Sequence, residues 1–256
     1  MVLFDLDETL VQEVAPVLDA LRATCEVAGL RRGLDALGLA TTLREEARTL
    51  WEAAPTHAAA RALGISSWEG LRSRFPGDDP TVRWLRRWAP TYRRQVWARA
   101  LARHGVRDAD LARVLADNFP RERAARHAVY DDAEPTLRRL RAAGLRLAVV
   151  TNGPSDLQRQ KLAASRLGDY FEAVVVSGEV GVGKPDPGIF ARALGELRSE
   201  PAQALMVGDS LARDVAGGNA AGVRTVWINR RTVSRGQADP LPDQEIHSLH
   251  ELVPPS

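Results

Sequence analysis

One cysteine, Cys25, and two lysines, Lys161 and Lys184, are all that the chain of 256 residues holds of those types. A lone thiol forms no internal disulfide, which fits a reducing, cytoplasmic setting, and Cys25 is expected to be inert packing. No apolar run approaches the roughly 20 residues of a membrane span, so no membrane role is expected. The N-terminus is already an apolar strand, which leaves no room for a signal peptide. That strand, Val2-Leu3-Phe4, is short for a central one; either it is clipped or the native start lies a few residues upstream of Met1. His57, His104, His127, His247 and His250 show no metal-ligand spacing and receive no role. No zinc pattern or basic-aromatic motif accompanies the basic residues, so no nucleic-acid partner is expected. Arginine fills 33 of the 35 basic positions. Lys184 is therefore expected to be needed as lysine: a compact ammonium touches two neighbours where a planar guanidinium would crowd.

What is present is a series of apolar runs that stop at polar residues. Asp5-Leu6-Asp7-Glu8-Thr9 follows the first of them. Alternate residues of a strand share a face, so Asp5 and Asp7 reach one site at the carboxyl edge of a sheet, the usual ligand position in open α/β folds. An isolated Asp-x-Asp is as often a turn or a helix cap. Left unpaired, two acids there repel and raise a pKa; a bound divalent cation, a shared proton, or a division into nucleophile and acid/base would explain them. The second run ends at Thr151-Asn152-Gly153, offering a hydroxyl, an amide and a glycine as a phosphate cradle. Gly181-Val182-Gly183-Lys184 then supplies a fixed cation on a turn before Pro187, which suits the first turn of a helix. A third run ends at Asp209, with Asp214 a little over one helical turn further on, both hard oxygen ligands of the kind Mg²⁺ prefers.

These motifs, in this order and each after an apolar strand, resemble the haloacid dehalogenase-like (HAD) hydrolase superfamily over residues 1–12 and about 128–253. The resemblance implies an α/β fold: a Rossmann-like parallel sheet, residues 1–12 plus 128–256, with an inserted all-helical C1 cap, residues 13–127. It implies a phosphatase that acts through an aspartyl-phosphate. Asp5 is then the nucleophile, Asp7 the general acid/base, Thr151 the hydroxyl that binds phosphate, and Lys184 the cation that holds both nucleophile and phosphate. Backbone amides near Leu6, Asp7 and Asn152 would neutralise the phosphoryl oxygens. Mg²⁺ would be held by the Asp5 carboxylate, the Asp7 carbonyl, Asp209 and Asp214. A phosphosugar mutase is the alternative, although the β-phosphoglucomutases usually have Gly where this chain has Glu8. A haloacid dehalogenase would not keep the acid at position 7, and a non-catalytic binding protein would have lost one of the motif residues. The cap holds no lysine for the Schiff base of a phosphonoacetaldehyde hydrolase.

Residues 13–127 read as helical, with apolar residues near the helical repeat at Leu37, Leu39, Leu43, Ala47, Leu50 and Trp51 and again from Val82 to Leu101. Pro76, Pro80, Pro90, Pro120 and Gly105 are expected to punctuate these helices. The segment carries 20 arginines against 14 acids, net +6, while the remainder is −4. Arg74, Arg86, Arg87, Arg93 and Arg94 are candidates to attract a phosphate ester, and five tryptophans are expected mainly to pack cap helices. A lid of this kind implies a small-molecule phosphate ester as substrate. The class is not readable further, and monomer and homodimer both remain open. Asn219 is expected to be a structural cap, residues 230–244 a loop, and residues 245–253 a last short strand or helix.

Overall fold

The structure, a computed structural model, describes residues 1–253. Strand β1 (Val2–Phe4) leads through a short strand β2 (Val11–Gln12) into six helices: α1 (Val14–Arg32), α2 (Ala36–Glu52), α3 (His57–Ala62), α4 (Ser67–Gly70), α5 (Pro80–Arg103) and α6 (Ala109–Ala124). There follow β3 (Ala128–Val129), α7 (Ala133–Ala142), β4 (Leu147–Thr151), α8 (Ser155–Ser165), β5 (Ala173–Val176), α9 (Ser177–Val180) and α10 (Pro187–Glu196). The chain closes with β6 (Leu205–Gly208), α11 (Ala216–Ala220), β7 (Arg224–Ile228) and β8 (Gln244–Ile246). It divides into two compact units, residues 1–12 with 128–256 and residues 13–127.

The first unit is a six-stranded sheet in the order β5-β4-β1-β6-β7-β8, parallel throughout. Burial on both faces makes such strands read as unbroken apolar runs, and alternate residues feed two separate cores. Val2, Phe4, Val149, Val207 and Ile228 pack on one side with Leu137, Leu140 and Leu249. Leu3, Ala148, Val150, Val175 and Met206 pack on the other with Ile189, Phe190 and Leu194. The chain adds β4 and β5 to one side of β1 and then returns to place β6 on the other. That reversal opens a crevice beyond the carboxyl ends of β1, β4 and β6, where ligands collect in such sheets. Phe4 pairs in register with both Val149 and Val207, so the residues after these strands converge.

The second unit is all-helical around one core built from Leu21, Cys25, Leu39, Leu43, Trp51, Leu85, Tyr92, Trp97, Leu115 and Phe119. Asp35, Asp79 and Asp108 cap α2, α5 and α6 by accepting first-turn N–H groups. Trp84, Trp88 and Tyr92 stack along α5 with ring centroids 5.1 and 4.7 Å apart. Two sequence expectations fail here. Pro90 and Pro120 lie inside α5 and α6 rather than between helices. An internal proline costs about 3 kcal/mol, less than α5 recovers by burying Val82, Leu85, Ala89, Tyr92, Val96 and Trp97 at about 1.5–3 kcal/mol for each large side chain. Leu37, placed on the apolar face by its spacing, is 73% exposed, because it sits in the first turn of α2 beside its Asp35 cap. Among the described residues, no helix is long and apolar enough to cross a membrane.

Candidate active site

Three strand ends and one loop bring the sequence-predicted residues together. Asp5 follows β1 and is buried, its Oδ1 accepting from the Lys184 ammonium at 2.6 Å. Lys184, also buried, lies 2.7 Å from Oδ1 of buried Asp214 as well. The ammonium thus bridges two carboxylates. Asp214 sits on a π-helical turn, Leu211–Val215, and its Oδ2 accepts from the Ser210 N–H at 2.9 Å. The close approach explains Gly208: a Cβ there would lie 2.3 Å from the Asp214 carboxylate. Asp209 follows β6, half-buried, with its backbone carbonyl accepting from the Trp227 indole N–H at 2.8 Å.

Ligand oxygens of Asp5, Asp209 and Asp214 all lie within 4.8 Å of one another. Three acids share one lysine, so two negative charges are left over when all are ionised. Burial pushes Asp5 up to about 7, with Asp214 and Asp7 raising it and Lys184 opposing. Burial likewise pushes Asp209 up to about 8, reinforced by Asp5 and Asp214. Burial pulls Lys184 down, but Asp214 and Asp5 outweigh it and leave the ammonium above its ordinary value. A donor set of crowded, hard carboxylate oxygens with excess negative charge suits a divalent cation of the Mg²⁺ class.

Asp7 stands apart from that cluster. Its two carboxylate oxygens each accept from Lys161 Nζ at 2.8 Å, and Oδ2 accepts from Gln158 Nε2 at 2.9 Å. Gln158 Nε2 also reaches Thr151 Oγ1 at 2.6 Å and the Asn152 carbonyl at 3.0 Å. The Asn152 side chain is spent on the neighbouring loop, donating to the Lys184 carbonyl and accepting from the Lys184 N–H, both at 2.8 Å. The Gly153 N–H donates to Ser177 Oγ at 2.8 Å. Leu6 is buried, and its carbonyl accepts from the Leu10 and Val11 N–H groups, which folds the loop after Asp5 into a tight turn. Within that turn Glu8 has φ 58°, a left-handed conformation uncommon outside glycine. Its carboxylate accepts from the Tyr130 hydroxyl at 3.0 Å and lies 3.4 Å from Arg231. Asn219 is confined to Thr225 and the Leu241 carbonyl, a structural bond away from the acids.

Sequence reasoning singled out neither Gln158 nor Trp227, and it noted Lys161 only as the second lysine. Lysine scarcity was the available signal, since both lysines turn out to hold the two acids of the first motif. In the helical unit, Arg93 donates to the Gly70 and Ser73 carbonyls, Arg86 to the Gly77 carbonyl and Arg94 to Thr91. Arg74 and Arg87 are exposed.

A family model described as haloacid dehalogenase-like hydrolase matches residues 1–222. A phosphoserine phosphatase from Thermus thermophilus is 38% identical, the alignment covering 98% of this chain and 97% of that protein. Among solved structures, a 2-haloacid dehalogenase from Pseudomonas syringae superposes with a TM-score of 0.60 at 30% identity, covering 97% of this chain and 94% of that one. The magnesium-bound HAD-hydrolase YfnB from Bacillus subtilis superposes with a TM-score of 0.65 at 24% identity over 98% and 95% of the two chains, a likeness of fold. The chain belongs to the haloacid dehalogenase-like hydrolase family.

Proposed function

We propose that the chain is a phosphatase that hydrolyses a small phosphate ester with Asp5 as nucleophile and Asp7 as proton carrier, and that residues 13–127 form its cap. The observation that carries this reading is the pairing of a buried Asp5, held by Lys184 within a three-carboxylate cluster, with a second acid, Asp7, on a separate set of donors. A dehalogenase has no protonated oxygen leaving group and so no use for that second acid.

Asp209 and Asp214, with the Asp5 carboxylate and the Asp7 carbonyl, would hold Mg²⁺. Bound there, the ion supplies Lewis-acid charge that lets an anionic nucleophile approach a phosphate dianion. Lys184 turns one face of its ammonium to Asp5 and keeps a donor for a phosphoryl oxygen. The Thr151 hydroxyl, with the backbone amides near Leu6, Asp7 and Asn152, binds the other oxygens. Asp5 attacks phosphorus and the ester oxygen leaves with a proton from Asp7; Asp7 then takes a proton from the water that cleaves the aspartyl-phosphate. The ligand is a small ester rather than nucleic acid. Phosphoserine, named for the Thermus relative, is the first metabolite to test. Release of phosphate from p-nitrophenyl phosphate, measured with and without Mg²⁺, decides the reaction class: turnover that needs Mg²⁺ and is abolished in Asp5→Asn is expected. Turnover that survives in Asp5→Asn contradicts it.

A further inference from the structure

Gln158 and Lys161 occupy one face of α8, three residues apart, and both are buried, at 2% and 4% exposure. A buried ammonium and a buried amide need partners, and these two converge on Asp7 through three contacts of 2.8–2.9 Å. The orientation of the Gln158 amide follows from its surroundings. The Asn152 carbonyl only accepts, and so does an Asp7 carboxylate paired with Lys161, so the nitrogen faces both. That nitrogen has two N–H groups for three acceptors and accepts no hydrogen bond itself, so the Thr151 hydroxyl, 2.6 Å away, turns its own proton elsewhere. One side chain therefore sets the direction of the Thr151 proton and the place of the Asp7 carboxylate together.

We infer that Gln158 and Lys161 are positioning residues: they fix the place of the Asp7 carboxyl, from which its protonated form gives a proton to the leaving oxygen, and Gln158 also aims the Thr151 hydroxyl at the phosphate. The inference rests on the phosphatase reading of Asp5, Asp7 and Thr151. Both act through Asp7 and Thr151, and neither takes part in a bond that forms or breaks. Loss of their contacts misplaces the acid, and its cost depends on how much the leaving group needs a proton.

The test compares kcat/KM for p-nitrophenyl phosphate and phenyl phosphate, esters of similar shape, of which only the second has a leaving group that strongly needs protonation. kcat/KM covers the steps up to departure of that group. Lys161→Met is expected to lower the phenyl phosphate value about 10–100-fold, within the usual reach of general acid catalysis, and the p-nitrophenyl phosphate value less than about 3-fold. Gln158→Leu is expected to show the same selectivity with an added rise in KM for both esters, through Thr151. In an Asp7→Asn background, which also removes the charge that Lys161 balances and so safeguards folding, Lys161→Met is expected to have no further effect. Equal losses on both esters, or a full loss repeated in the Asp7→Asn background, overturns the inference. Asp5→Asn separates the two levels: if it stays active, the phosphatase reading fails. If it is inactive while Lys161→Met matches the unaltered enzyme on phenyl phosphate, only the positioning role fails.

Discussion

Replacing Asp209 by asparagine is expected to make the metal-free protein more stable at high pH while weakening its hold on Mg²⁺. Asp209 faces two carboxylates, Asp5 and Asp214, with ligand oxygens within 4.8 Å, and one ammonium, Lys184. At an effective dielectric of about 20, two unit charges 4.8 Å apart repel by about 3.5 kcal/mol. Lys184 offsets one of the two repulsions, and Asp209 is only half-buried, so relief of about 1–3 kcal/mol is expected. The pH dependence follows from the raised carboxyls of Asp5 and Asp209, at about 7 and about 8. Folding favours their protonated forms; that contribution is complete below their unfolded value near pH 4 and is lost as pH rises through about 7–8. In EDTA at about pH 4 Asp209 is protonated in the folded chain and largely so in the unfolded one, so it resembles asparagine and the two proteins should melt close together. At pH 9 Asp209→Asn should melt about 2–12 °C higher, at about 2–4 °C per kcal/mol for a domain of this size. Mg²⁺ at about 100 times its dissociation constant stabilises the unaltered protein by about 2.7 kcal/mol, and the variant by much less. Thermal melts in EDTA and in Mg²⁺ at both pH values read all of this. A variant that melts lower at pH 9 in EDTA, or that gains as much from Mg²⁺, refutes the reasoning.

Three further substitutions probe separate parts of the structure. Gly208→Ala puts a Cβ 2.3 Å from the Asp214 carboxylate and should lower kcat on p-nitrophenyl phosphate about 100-fold, the scale of a 1 Å misplacement; an unchanged kcat shows that Asp214 need not sit there. Lys184→Met leaves Asp5 and Asp214 without their shared cation, so activity should vanish and urea melts in EDTA should show a loss of about 3–5 kcal/mol, partly restored by Mg²⁺. Gly70→Ala drives a Cβ to 2.4 Å from the Trp51 ring and should destabilise the helical unit by about 1–3 kcal/mol, with a change in tryptophan fluorescence; unaltered emission and melting contradict the packing described for Trp51.

The parallel sheet was legible because its strands are buried on both faces and so read as apolar runs that stop at chemistry-bearing residues, as Phe4 does before Asp5 and Gly208 before Asp209. The partners of Asp7 were not. Gln158 and Lys161 lie on a helix whose rotation about its axis decides what they face, and no strand-end pattern marks them. Pro90 and Pro120 misled because local propensity yields to the burial of α5 and α6. The bond from the Gly153 N–H to Ser177 Oγ was not legible either, because Ser177 lies in a segment with no evident motif. Glu8 carries a left-handed backbone that only the folded turn reveals.

The central claim is that Asp5 carries the phosphoryl group. Acid quenching during turnover of ³²P-labelled p-nitrophenyl phosphate in Mg²⁺, followed by recovery of the protein, tests it directly. The account predicts protein-bound label that hydroxylamine removes, as it does from an acyl phosphate, and that is absent in Asp5→Asn. Turnover without protein-bound label, together with phosphate release undiminished in Asp5→Asn, contradicts it.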